Sequence, residues 1–256
     1  MHLIAGPCAL ESREQWVQSL RICSEWGIAT VRASLWKPRT KEGWEGLGEE
    51  GISFFLEESF ARRIRPATEV ALESHVLALR RELRHYSSSH QLFLWIGARN
   101  QNHWIQQAIA RALLPIQSQV TLMIKNPPWA SVEHWKGICE HILATGFPRE
   151  RLILCHRGFH CQKGGPWRNA PNFALAMQLR SELALPMYLD PSHIAGSQSA
   201  LFGVMESAQK HPFDGYFIEM HPNPERARTD AQQQLSPSLF RNFFYQFFSQ
   251  RELNLS

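Results

Sequence analysis

Hydrophobic residues fall in short runs bounded by turn-forming residues: "LIAGPC" from Leu3, "IATVRAS" from Ile28, "PATEV" from Pro66, "LFLWIGA" from Leu92, "VTLMIK" from Val120, "RLILCHR" from Arg151, "PMYLD" from Pro186 and "GYFIEMH" from Gly215. Most are apolar at consecutive positions, as strands of a parallel sheet buried on both faces must be. Between them lie stretches of helical periodicity such as "REQWVQSLRICSEWG", "HWIQQAIARALL", "SVEHWKGICEHILATG" and "NFALAMQLRSEL", with Gly27 and Gly146 placed to cap two of them. Ser236 and Pro237 mark the start of a last helix, on which Leu239, Phe240, Phe243, Phe244, Phe247 and Phe248 form a stripe at helical spacing. The bland role of that stripe, packing the helix onto the sheet, is the expected one. Eight strands alternating with helices predict an α/β fold, a closed (β/α)8 TIM barrel spanning 1–256 as a single domain, with no second-domain boundary.

Composition narrows the class. With 44% apolar residues the chain can bury a full core. It has no long uncharged apolar run, and "MHLIAGPCALES" lacks the features of a signal peptide, so a soluble, unexported protein with no membrane partner is expected. Five cysteines, Cys8, Cys23, Cys139, Cys155 and Cys161, show no compact spacing, which points to a reducing compartment, the cytoplasm. The net charge of +4 comes without a basic tail or nucleic-acid module, so small anionic ligands are expected rather than nucleic acid.

The placement of charge is more informative than its sum. The stretch "VRASLWKPRT", 31–40, sets Arg32, Lys37 and Arg39 around Pro38, whose ring stiffens the loop. The C-terminal ends of the predicted strands carry Cys8, Arg32, Glu69, Arg99, Lys125, Arg157, Asp190 with His193, and Glu219. Singly, each arginine would be read as solvated or ion-paired, and the cysteine as a small buried hydrophobe. In a barrel, however, all these strand ends surround one mouth. Arg32, Lys37, Arg39, Arg99, Lys125 and Arg157 can hold phosphate and carboxylate oxygens there. Cys8, His193, Glu219 and Asp230 form a donor mix suited to a divalent transition metal, although no short spacing of the C-x-x-C kind supports them.

Ten segments then carry a resemblance: "AGPCALES", "RASLWKPRT", "GWEGLGEEG", "ATEV", "IGARN", "IKNP", "HRGF", "RNAP", "DPSHIAG" and "FIEMHPNPERARTDAQQQL". Together, from the first strand to about Leu235, they resemble the 3-deoxy-D-arabino-heptulosonate 7-phosphate (DAHP) synthases, closest to the bacterial form often fused to chorismate mutase. The resemblance implies the first step of the shikimate pathway, a metal-dependent condensation of phosphoenolpyruvate with erythrose 4-phosphate and water. It implies metal ligation by Cys8, His193, Glu219 and Asp230, the ion being manganese, iron, cobalt or zinc. It implies that Arg99, Lys125 and Arg157 hold phosphoenolpyruvate with Arg32 and Lys37 beside them, and that Pro38, Arg39 and Thr40 belong to the erythrose 4-phosphate loop. Lys37, Cys8 and His193 are the implied catalytic set, and Arg168 in "RNAP" is a further candidate for substrate phosphate. A homo-oligomer, dimer or tetramer, is expected, with a separate chorismate mutase as a candidate partner. The sister 3-deoxy-D-manno-octulosonate 8-phosphate synthases, which use arabinose 5-phosphate, are the alternative enzyme; "KPRT" and "DPSH" resemble the heptulosonate branch. A non-catalytic metabolite-binding barrel is the alternative of another class. The segment "HCQKGGPW", 160–167, departs from the family pattern; His160, Cys161 and Lys163 are expected in an exposed loop. His221 and Glu69 are expected to orient neighbours, His156 to pack beside the barrel, and Trp36 and Trp95 to be wall or core residues.

Overall fold

A computed structural model describes residues 2–38, 42–161 and 165–249. All eight expected strands are present: β1 (His2–Gly6), β2 (Thr30–Arg32), β3 (Arg65–Glu69), β4 (Leu92–Ile96), β5 (Val120–Lys125), β6 (Leu152–His156), β7 (Met187–Leu189) and β8 (Gly215–Glu219). They pair in parallel in chain order, and β8 closes on β1 in a register running from His2 opposite Gly215 to Gly6 opposite Glu219. The result is a closed (β/α)8 barrel.

The consecutive apolar runs are explained by two separate cores. Leu3, Ala5, Leu94, Ile124 and Leu154 point outward into the layer between sheet and helices. The alternate positions Ile4, Phe93, Trp95, Met123, Cys155, Tyr188 and Phe217 fill the lumen. A strand with both faces covered has no position left for a polar residue until it reaches an end of the barrel.

The outer layer is formed by α1 (Arg13–Glu25), α2 (Ile52–Ala61), α3 (Glu73–Leu83), α4 (His103–Leu113), α5 (Val132–Leu143), α6 (Phe173–Leu183), α7 (Gln198–Ala208) and α8 (Pro237–Phe247). Ser12, Asn102, Ser131, Asn172, Ser197 and Ser236 cap α1, α4, α5, α6, α7 and α8, each side-chain oxygen accepting from a first-turn N–H. Gly27, left-handed with φ 66°, directly follows the C-cap Trp26 and ends α1 as expected, while Gly146, φ 91°, lies two residues past Ala144, the C-cap of α5. On α8 the phenylalanine stripe packs as expected: Phe240, Phe243 and Phe247 are buried, each adding on the order of 2 kcal/mol by leaving water. A two-stranded antiparallel ribbon, Phe159–His160 with Asn169–Ala170, is an addition that the apolar pattern did not announce. No helix among the described residues is long and apolar enough to cross a membrane.

The two ends of the lumen differ in chemistry. At the N-terminal end, the His2 ring stands 2.7 Å from the Tyr188 hydroxyl and 3.2 Å from Thr30 Oγ1, while Arg65 donates to Thr30 Oγ1 at 3.1 Å and lies over the Phe93 ring. Burial, then the Arg65 charge, lowers the His2 pKa to about 4. His75, stacked on Trp36 with ring centroids 4.1 Å apart, is lowered to about 4 by burial. His156, packed between Trp135 and Phe173 as expected, is lowered to about 3 by burial and then by Arg157.

These imidazoles are neutral in the fold, whereas the unfolded chain takes up their protons below about pH 6.5. Stability therefore holds above that value and falls as the pH drops towards 4 for His2 and His75 and towards 3 for His156. Urea midpoints should decrease from about pH 7.5 to about pH 5. A flat profile over that window would contradict the buried neutral rings.

Candidate active site

The C-terminal end of the barrel holds the charged residues, and its floor is aromatic. Trp95 from β4 and Phe217 from β8 meet edge to face at 4.9 Å. Above them sits the guanidinium of Arg32, 4.3 Å from the Phe217 ring centre, and the Lys125 ammonium at 4.6 Å from the same ring. Trp95 is thus more than a core residue: with Phe217 it forms a π surface that lets two cations sit at the edge of an apolar lumen.

Cys8 leaves β1 through Gly6 and Pro7. Gly6 has φ 144°, and a Cβ there would collide with the Arg32 carbonyl, so the bend needs glycine. The Cys8 N–H donates to Gln234 Oε1 at 2.8 Å, and its carbonyl accepts from Arg32 Nη2 at 3.3 Å. The thiol donates to Asp230 Oδ2 at 3.2 Å. Asp230 arrives from the loop after β8 with φ 47°, a left-handed conformation that costs a non-glycine residue energy and turns its carboxylate back over the mouth. One ligand atom each from Cys8, Glu219 and Asp230 lie within 4.8 Å of one another.

His193 stands at the edge of that cluster. Asp190, the N-cap of the short helix Pro191–Ala195, accepts from the His193 backbone N–H at 3.1 Å, and its Oδ2 lies 2.8 Å from His193 Nδ1. Nδ1 is thereby occupied, which leaves Nε2 turned towards Glu219 Oε1 at 3.8 Å. This is how a carboxylate fixes an imidazole for metal ligation through the other nitrogen.

Whether the donors suit a cation can be judged from their own state. Burial, then Glu219 beside it, pushes the Cys8 thiol up to about 12, so it is protonated until a cation replaces the proton. Glu219 is fully buried; its Oε2 accepts from Gln233 Nε2 at 2.6 Å, while Oε1 takes no aligned hydrogen bond among the described residues although Arg32 Nη2 is 3.0 Å away. A buried carboxylate oxygen without a donor, beside a thiol, a second carboxylate and an oriented imidazole, fits a divalent transition metal.

Around this cluster the cations are paired. Lys125 reaches Asp190 Oδ2 at 2.7 Å, Lys37 reaches Asp230 Oδ2 at 3.2 Å, and Arg168 Nη1 lies 3.5 Å from Asp230 Oδ1. Burial opposes ionisation of Asp190, but His193 and Lys125 outweigh it and hold the carboxyl well below the ordinary range. Burial likewise works against the Lys37 ammonium, and Cys8, Asp230 and Glu219 together raise its pKa above the usual lysine value. Arg157 donates to Asn169 Oδ1 at 3.1 Å; burial lowers its pKa to about 10, with Asp190 opposing and the charges of Arg168 and Arg99 adding to the drop. A buried guanidinium with two others acting on it calls for an anion. Arg99 Nη1 donates to the Pro38 carbonyl at 3.2 Å, tying the loop after β2 to the end of β4.

Cys8, Arg32, Lys37, Pro38, Arg99, Lys125, Arg157, Arg168, His193, Glu219 and Asp230 thus gather at one end of the barrel. Arg39 and Thr40 lie outside the described residues, as does Lys163. His160 is exposed, but on the two-stranded ribbon rather than in a loop, and Cys161 beside it is half-buried. Sequence reasoning placed Asp190 at a strand end without giving it a role, and passed over Asn126, Asn169 and Gln233. Asn126 accepts from the Arg157 N–H at 2.7 Å, and Asn169 joins Arg157 to the His193 carbonyl. The only signal for these was their place inside "IKNP", "RNAP" and "DAQQQL".

The sequence matches the DAHP synthetase I family over residues 1–252. It is similar to the phospho-2-dehydro-3-deoxyheptonate aldolase of Thermotoga maritima, 29% identical over 241 residues, covering 93% of this chain and 66% of that protein, just under two thirds of its length. The 2-dehydro-3-deoxyphosphooctonate aldolase of Magnetococcus marinus is 25% identical over 253 residues, covering 92% of this chain and 82% of that one. The crystal structure of the DAHP synthase from Thermotoga maritima matches with a TM-score of 0.82 and 27% identity, over 96% of this chain and 68% of the other. A truncated form of the Thermotoga maritima 3-deoxy-D-arabino-heptulosonate 7-phosphate synthase gives 0.79 and 25%, over 96% and 84%.

Replacing Lys125 by Met should leave Asp190, which is fully buried, short of its lysine partner and cost on the order of 3 kcal/mol in urea unfolding. A loss below about 1 kcal/mol would mean that His193 alone compensates the charge.

Proposed function

The chain belongs to the DAHP synthetase I family, and on that premise we propose that it condenses phosphoenolpyruvate with erythrose 4-phosphate and water to give DAHP and phosphate, as a divalent-metal enzyme. The observation that carries this reading is the adjacency of two sets: Cys8, Glu219 and Asp230 with His193 at their edge, and the cations Arg32, Lys37, Lys125 and Arg157 around them. Two dianions can share one cavity only where fixed positive charge replaces their water.

Arg157, Lys125 and Arg99 hold the phosphate and carboxylate of phosphoenolpyruvate. Arg32 contributes Nε and Nη1, both buried and without a hydrogen-bond partner among the described residues, as donors left for that carboxylate. Pro38, Arg39 and Thr40, with Arg168, take the sugar phosphate, and Lys37 stands where the two substrates meet. When bound by Cys8, His193, Glu219 and Asp230, the metal ion supplies a Lewis acid for the aldehyde oxygen or for water. Carbon–carbon bond formation joins C3 of phosphoenolpyruvate to the aldehyde carbon; water adds at C2, and phosphate leaves with cleavage of its C2–O bond. Lys37 delivers a proton to the alkoxide oxygen left by that attack: it is an ammonium, and its Nζ, 3.2 Å from Asp230, is within reach of the cluster. Asp190 does no chemistry; it holds His193 and Lys125 in place.

Phosphate release should require both substrates and a divalent cation, and should stop on chelation. Arabinose 5-phosphate turned over better than erythrose 4-phosphate would move the protein to the octulosonate branch, the side of the Magnetococcus marinus relative. Cys8→Ala should lose bound metal together with activity; normal metal content would remove the thiol from the ligand set. Lys37→Ala should lower kcat by about 100-fold or more if the lysine moves a proton. A loss confined to KM would leave it an electrostatic clamp.

A further inference from the structure

Gln233 links the two halves of the site. It is buried, 1% exposed, in the turn that follows Asp230, and its own N–H donates to the Asp230 carbonyl at 3.1 Å. The orientation of its amide is set by chemistry: Glu219 Oε2 can only accept and lies 2.6 Å from Nε2, while the Arg168 guanidinium can only donate and lies 2.9 Å from Oε1. The same Arg168 nitrogen is 3.5 Å from Asp230 Oδ1. A rigid side chain thus ties a carboxylate of the cation cluster to a guanidinium that is 43% exposed and open to an anion.

Resting on the metal-dependent reading above, we propose that Gln233 is a positioning residue which couples the two ligands, so that an oxyanion at Arg168 strengthens binding of a divalent cation at Cys8, Glu219 and Asp230. Two effects give the sign. Arg168, 3.5 Å from Asp230 Oδ1, repels an incoming cation; an oxyanion on the guanidinium neutralises that charge and draws it off. Meanwhile Gln233 Oε1 holds Arg168 where an oxyanion reaches it, and its Nε2 keeps Glu219 Oε2 occupied, so that Oε1, which has no aligned donor among the described residues, faces the cation. Coupling of this kind is reciprocal, so the cation strengthens oxyanion binding by the same factor.

The test is calorimetric titration of Mn2+ into chelator-treated full-length protein, with sodium sulfate as the oxyanion and chloride at matched ionic strength as the control. Wild type should bind Mn2+ about 5-fold or more tightly in sulfate. Gln233→Leu should bind it about 10- to 100-fold more weakly and lose most of the sulfate effect. Arg168→Met, a change at a half-exposed position that leaves the core alone, should bind Mn2+ in chloride as well as wild type does in sulfate, with no further gain from sulfate. Sulfate-independent affinity in wild type, or an unchanged sulfate effect in either variant, would overturn the coupling while leaving the metal reading intact. Failure of wild type to bind Mn2+ would overturn both. Circular dichroism of Gln233→Leu separates a lost link from a lost fold, and Arg168→Met decides the matter if that variant does not fold.

Discussion

Lys125 and Asp190, 2.7 Å apart and shielded from water, form one link in a run of opposite charges that extends across the mouth of the barrel. From Asp190 it passes to His193 and Glu219, and from Glu219 to Arg32 on one side and through Gln233 to Arg168 on the other; Asp230 then joins Arg168 to Lys37. Ions so far from solvent are tolerable only when each has a counter-charge or hydrogen bond at short range. Every strand end that contributes a charge is therefore constrained by its neighbour, and the barrel's register becomes a condition of charge balance. In β1 and β8, Gly6 stands opposite Glu219; a slip by one residue would turn Glu219 out of the lumen and strand Arg32 over the Trp95–Phe217 surface.

The balance is incomplete in an informative way. Among the described residues, Arg32 keeps two buried donors without acceptors, and Glu219 keeps one buried oxygen without an aligned donor, although the two residues touch at 3.0 Å. Each atom is held in a position that a protein folding for stability alone would fill or remove. The Cys8 thiol has the same character: with its pKa pushed up to about 12 by burial and by Glu219, it donates a weak hydrogen bond to Asp230 where a thiolate would need a cation. These unmet demands are of opposite sign and lie side by side, as a site for one cation and neighbouring anions requires.

The elements were legible where the physics is local. Doubly covered strands write themselves as consecutive apolar residues, and α1, α4, α5 and α6 open on a polar cap that marks their start. α2 and α3 open on Gly51 and Leu72 with no side-chain cap, so their limits had no comparable signal; α7 has its cap in Ser197, but Gly203 in its middle weakens the helical pattern. In the candidate site, residue type and strand-end position gave the membership. They could not say which carboxylate meets which cation, because that depends on loops: Asp230 reaches Cys8 only through a left-handed backbone turn, and Lys37 reaches Asp230 only because its own loop folds over β2. Gln233 was invisible for the same reason, since one glutamine among three successive ones has no distinguishing mark until Glu219 and Arg168 are seen on either side of it.

The lumen separates this arrangement from the part of the barrel that carries stability. Below Trp95 and Phe217, the inward positions of the strands hold Phe93, Met123 and Tyr188, and below these come His2, Thr30 and Arg65. At that lower end the polar groups partner one another: a neutral imidazole meets a phenol and a hydroxyl, and the Arg65 guanidinium rests on a phenylalanine ring. Among the described residues, His2, Thr30, Arg65 and Tyr188 leave no buried side-chain atom without a partner, whereas Arg32 and Glu219 at the upper end do. An apolar layer one or two side chains deep keeps the two from exchanging charge. A (β/α)8 barrel therefore permits strain and unmatched charge at its mouth, because the filled lumen prevents either from propagating downwards.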